Sequence, residues 1–135
     1  MLLDTSGLLC YLHRDEPQHQ QAVQLVDNTA NSQLLTHSYV LAELVALALI
    51  RRLPRPAVLA FVTDLVESSG VEIVWVNEPL HRQAMQLLTE RLDKTYSLCD
   101  AVSFVLMRQL AVAVALTTDR HFEQEGFVKL LPPNP

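Results

Sequence analysis

Short apolar runs alternate with longer stretches of helical periodicity from one end of the chain to the other. Residues 1–3, 33–36, 71–76, 111–116 and 127–131 read as strands. The clearest is Val-Glu-Ile-Val-Trp-Val at 71–76, rich in β-branched and aromatic residues. Residues 6–13, 17–28, 38–53, 56–68, 78–92, 98–110 and 119–125 read as helices. Pro17 suits a first helical turn, and Pro54 is placed to stop the helix before it. The stretch 38–53 is apolar nearly all round, which predicts a buried helix. Trp75, inside its apolar strand, is expected in the core. Residues 132–135 form a tail. Strands that alternate with helices predict an α/β fold, with a central parallel sheet covered by helices on both faces.

In such folds ligands bind beyond the carboxyl ends of the strands. Four acids fall where that rule directs attention. Asp4 follows the first strand and Asp119 the fourth; Asp100 lies one turn into an apolar helix, and Glu43 interrupts the most apolar one. Each has a structural alternative. Asp4 and Asp119 can cap the helices after them. Ser97 and Asp100 match a capping box. Glu43 can pair with a base such as His37 or sit at the helix edge. Together, four acids at one edge repel one another, so stability does not favour the cluster. A hard divalent cation removes that repulsion and suits phosphodiester cleavage. Thr5, Ser6, Ser103 and Thr118 are hydroxyls placed to orient carboxylates or water.

Composition narrows the reading. The chain has 135 residues, 50% of them hydrophobic, enough for one domain (1–135) with its own core. The formal charge of −5 argues against a general basic nucleic-acid binder. Removing four site acids brings it to −5 + 4 = −1. Arg51, Arg52 and Arg55 form the one local basic cluster, and Arg120, Arg14 and Lys94 are further phosphate contacts to weigh. The alternative for the arginine cluster is a solvated helix end. Cys10 and Cys99 make no disulfide framework, and the five histidines show no H-x-x-x-H spacing for zinc. With no apolar run long enough to span a membrane and no visible signal peptide, a cytoplasmic protein is expected.

Four fragments then carry a family likeness. They are Leu3-Asp4-Thr5-Ser6-Gly7-Leu8-Leu9, the Glu43 helix, Ser97-x-x-Asp100-Ala101-Val102-Ser103-Phe104, and Thr117-Thr118-Asp119-Arg120-His121-Phe122. In this order, over positions 3–127, the chain resembles the PIN-domain family, and within it the VapC-type ribonuclease toxins of toxin–antitoxin pairs. The resemblance implies a PIN-like three-layer sandwich, Mg²⁺ or Mn²⁺, and endonucleolytic cleavage of RNA. It implies Asp4, Asp100 and Asp119 as metal ligands, and Glu43 as a further catalytic acid that positions water. Ser6 and Thr118 would support them. It also implies an antitoxin partner. Many members carry another acid two residues after the last Asp, where this chain has His121.

Two other functions fit the same fold class. A phosphatase of the haloacid-dehalogenase type needs a second Asp where Ser6 stands, and a receiver needs a late Lys, for which Lys129 is the candidate. A non-catalytic binding module would have lost an acid, and all four are present. The apolar excess of residues 38–68 predicts a homodimer interface.

Overall fold

The computed structural model describes residues 1–30 and 33–133. The last two positions of the expected tail lie outside them. Among the described residues there are five strands: β1 (Leu2–Leu3), β2 (Leu34–His37), β3 (Val71–Val74), β4 (Val114–Leu116) and β5 (Val128–Lys129). They form one sheet in the order β3-β2-β1-β4-β5, with every pair parallel. The helices are α1 (Thr5–Leu12), α2 (His19–Asp27), α3 (Ser38–Ile50), α4 (Arg55–Glu67), α5 (Glu78–Glu90), α6 (Leu98–Gln109) and α7 (His121–Gln124).

Two cores explain the layering. Helices α1 to α4 bury Leu8, Leu9, Ala22, Val40 and Leu44 against one face of the sheet. Helices α5 to α7 bury Leu80, Ala84, Ala101, Val102 and Phe122 against the other. The expected three-layer α/β sandwich is therefore present. From β1 the chain winds outward through β2 and β3, then returns to the centre and winds the other way through β4 and β5. The crevice where that direction reverses lies between β1 and β4, and in open parallel sheets this is where ligands bind.

The element boundaries depart from the sequence reading for specific reasons. Helix α3 is ended by a Schellman turn before Pro54 is reached. Arg52 takes the left-handed conformation (φ 57°), its N–H bonds Leu49 O at 3.1 Å, and Leu53 N–H bonds Ala48 O at 3.0 Å. The same motif, at Ala111 (φ 54°), ends α6 and delays β4 to Val114. Helix α2 begins at His19 and not at Pro17, because Gln18 turns inward and its amide donates to Pro132 O at 3.2 Å. Strand β3 stops at Val74, so Trp75 is not core: it is 62% exposed. Nor is α3 buried all round. Leu49 and Ile50 are 63% and 77% exposed, because the sheet and its neighbouring helices cover one side of α3 only.

Candidate metal centre

Local structure brings three of the four acids to the crevice. Strand β1 is paired with β4 so that Leu3 lies beside Leu116, which sets Asp4 beside Thr117 at the carboxyl edge. Asp4 occupies the N-cap position of α1, yet its side chain makes no capping hydrogen bond. Its Oδ2 instead accepts the Thr117 hydroxyl at 2.8 Å. Thr117 Oγ1 also accepts the Asp119 N–H at 3.0 Å and lies 3.1 Å from Ser6 Oγ. Since Thr117 has given its one proton to Asp4, Ser6 must be the donor in that last contact. Ser6 Oγ in turn accepts the Thr118 N–H at 3.0 Å. This hydroxyl relay ties the acid after β1 to the loop after β4.

Asp100 reaches the crevice from α6. Its capping box with Ser97 is real: Ser97 N–H donates to Asp100 Oδ2 at 3.1 Å, and Asp100 N–H donates to Ser97 Oγ at 3.0 Å. The same Oδ2 is 3.0 Å from His121 Nδ1. Asp119 Oδ1 accepts the His121 N–H at 2.9 Å and lies 3.3 Å from the same Nδ1. One ligand atom from each of Asp100, Asp119 and His121 lies within 4.8 Å of the others. Two carboxylates and an imidazole at that spacing are a donor set suited to a divalent cation.

The electrostatics agree. Burial, then repulsion from Asp100, pushes the Asp4 carboxyl up to about 7, against the pull of the Thr117 hydroxyl. Burial and then Asp119 raise Asp100 in the same direction, opposed by Ser97 and His121. These acids crowd one another in a largely buried crevice, and a cation is the group that would relieve them.

The remaining candidates are placed differently. Glu43 lies on the exposed face of α3, outside the set of three. It is nonetheless near enough that, after burial, it is the leading cause of the raised Cys99 thiol, beside Asp100. His37 is not its partner. That ring is fully buried, accepts the Val40 N–H at Nδ1 and sits 2.8 Å from Ser103 Oγ through Nε2. Ser103 thus supports His37 and not an acid. The Thr5 hydroxyl is buried with no hydrogen-bond partner among the described residues. Thr118 contributes its backbone N–H, whereas Thr117, one residue earlier, supplies the hydroxyl that holds Asp4. Thr117 and His121 are the two residues that sequence reasoning missed. His121 had left a signal, as the residue standing where a further acid is usual.

The basic residues divide. Arg51 forms an ion pair with the buried Glu16 at 2.6 Å, and Arg52 makes the Schellman turn. With Arg55 they lie one helix length, about 20 Å, from the carboxyl edge where α3 starts. Arg120 is exposed between Asp119 and His121, at the site itself. Lys129 is tied to Leu131 O at 2.7 Å and lies outside the crevice.

A PIN domain pattern matches residues 1–127. This chain is a PIN domain. Ribonuclease VapC26 of Mycobacterium tuberculosis is 32% identical over 123 residues, covering 90% of this chain and 89% of that protein. The 23S rRNA-specific endonuclease VapC20 of the same organism is 33% identical over 99 residues, covering 73% and 74%. A crystal structure of M. tuberculosis VapC20, described as a sarcin–ricin loop cleaving toxin, superposes with a TM-score of 0.86. It has 27% identity over 95% of this chain and 96% of that one. The PIN fold explains the crevice, and the VapC relatives are ribonucleases by name.

Proposed function

We infer that this VapC-type chain is a metal-dependent endoribonuclease, the toxin of a toxin–antitoxin pair, which hydrolyses RNA phosphodiester bonds at the β1/β4 crevice. One observation carries the reading: Asp4, Asp100 and Asp119 are crowded into a crevice where burial and mutual repulsion hold Asp4 and Asp100 above the ordinary carboxylate range. Asp100 and Asp119 would hold Mg²⁺ or Mn²⁺, with Asp4 beside them. When bound, the ion supplies positive charge for the phosphate and the leaving oxygen. The relay through Ser6 and Thr117 fixes the Asp4 carboxylate. Glu43, exposed on α3 and outside the set of three, would be the acid that orients the attacking water and takes its proton. Arg120, between two residues of the centre, offers a cation to a substrate phosphate. The 1–135 chain acts as one domain. Among the described residues no helix is long and apolar enough to cross a membrane, and the expected compartment is the cytoplasm.

The phosphotransfer reading is not favoured. Ser6 is occupied in the hydroxyl relay, and Lys129 is bound elsewhere. Structured ribosomal RNA is the first substrate to try, given what the VapC20 relative cleaves. Incubation of the purified chain with such RNA should yield discrete fragments with millimolar Mn²⁺ and none with chelator. Equal cleavage in both conditions, or none in either, rejects the reading.

RNA is the proposed occupant of the crevice, and an antitoxin the proposed protein partner. Leu49, Ile50, Leu59 and Val66 on α3 and α4 are exposed apolar side chains, which supports a homodimer through these helices. Light scattering at high micromolar concentration should return twice the chain mass. A monomer mass there removes the dimer.

A further inference from the structure

The residue that departs from the family pattern is also a positioned side chain in the crevice. His121 is held from three directions. Its backbone N–H is bonded to Asp119 Oδ1 at 2.9 Å. Its Nε2 lies 3.1 Å from Thr95 Oγ1, and its ring meets Tyr96 edge-on with centroids 5.2 Å apart. These contacts leave Nδ1 directed between two carboxylates, 3.0 Å from Asp100 Oδ2 and 3.3 Å from Asp119 Oδ1. With the ring proton on Nε2, Thr95 Oγ1 accepts it and Nδ1 presents its lone pair to the crevice. A metal-binding imidazole is ordinarily oriented by such a partner on its other nitrogen. The separations also suit ligands of a single ion. Neighbouring donors in an octahedral site with bonds of about 2.1 Å stand roughly 3 Å apart.

We propose that His121 Nδ1 is a ligand of the catalytic ion, and that this makes the centre a mixed carboxylate–imidazole site that selects Mn²⁺ over Mg²⁺. The inference rests on the metal-dependent reading above and sharpens it. The physical reason is donor chemistry. Mg²⁺ is hard, keeps its waters and is served by oxygen alone. Imidazole nitrogen favours ions further along the first transition row, and carboxylates suit Mn²⁺ equally well. An acid at this position would have completed an all-oxygen site. The competing role for His121 is a hydrogen bond that offsets the repulsion between Asp100 and Asp119, without touching the ion.

Pulsed electron paramagnetic resonance of the full chain, loaded with one equivalent of Mn²⁺, separates the two. Directly bound imidazole gives ¹⁴N modulation, which should be present in the wild type and absent in His121→Gln and His121→Asp. Calorimetric titration with Mn²⁺ and with Mg²⁺ gives the ratio of the two dissociation constants. His121→Asp should lower the preference for Mn²⁺ by about tenfold. Tight Mn²⁺ binding without ¹⁴N modulation in the wild type overturns the inference and leaves the nuclease reading standing. So does a Mn²⁺/Mg²⁺ ratio unchanged in His121→Asp. Should both variants fail to fold, the wild-type spectrum still decides. If the wild type binds neither ion at millimolar concentration, the metal-dependent reading fails, and this inference with it.

Discussion

Asp4→Asn and Asp100→Asn should each lower Mn²⁺-dependent RNA cleavage by at least about a hundredfold, the order seen when one charge-stabilising group leaves an active site. An amide oxygen is a poor ligand for a hard cation where a carboxylate is required. The substitutions preserve local structure. The amide oxygen introduced by Asp4→Asn can still accept the Thr117 hydroxyl, and the one introduced by Asp100→Asn can still accept the Ser97 N–H that closes the capping box. Asp4→Asn should also leave a second signature, in stability. In the folded protein the Asp4 carboxyl sits near 7, against 3.8 in the unfolded chain. Below about pH 4 it is protonated in both states and costs nothing. As pH rises to about 7 the folded state must keep a proton or bear a buried charge, so stability falls across that window and then levels. The full difference is worth about 4 kcal/mol. In the presence of chelator, the wild type should therefore lose stability between pH 4 and pH 7, and Asp4→Asn should be flatter and more stable at pH 8. Chemical denaturation across this range measures both effects. Full cleavage by both variants at wild-type fold stability would remove these acids from the site. An Asp4→Asn protein no more stable than wild type at pH 8 would remove the crowding argument.

Gly7→Ala should be the most damaging single-methyl change near the site. A Cβ at Gly7 would lie 1.9 Å from Leu116 O and 2.6 Å from Leu116 C. The obstacle is the backbone of β4 and not a side chain that can swing aside. Helix α1 would have to lift from the sheet by more than 1 Å to restore even a tight contact of 3.0 Å. Overpacking of this kind costs about 3 kcal/mol or more, a fall in Tm on the order of 10 °C for a chain this size. Because α1 starts at Thr5 and carries Ser6, lifting it also breaks the relay that joins Asp4 to the β4 loop. Activity should therefore fall even at temperatures where the variant stays folded. A variant with wild-type Tm and wild-type cleavage would mean that α1 does not pack on β4 as described.

Much of this protein was legible along the chain because the relevant physics is local. Strand and helix periods depend on neighbours one to four residues away. The alternation of 71–76 with the helical stretches around it was enough to predict a parallel α/β sheet. The rule that strand ends carry the chemistry then singled out Asp4 and Asp119, and the S-x-x-D spacing placed Asp100 in a first helical turn. The tertiary structure decided everything that depends on which segments meet. Sequence pattern does not encode the strand order β3-β2-β1-β4-β5, yet that order is what sets Asp4 beside Thr117, 113 residues away. It also brings His121 to Asp100, whereas spacing along the chain showed only that the histidines form no H-x-x-x-H zinc motif. Coverage was equally hidden. Helix α3 has apolar residues on every side, so its sequence could not say which side the sheet and its helical neighbours would leave bare. Trp75 reads as strand core until β3 ends one residue before it. Hydrophobicity sets how much surface a segment gains by being buried; the packing of distant segments determines whether anything arrives to bury it.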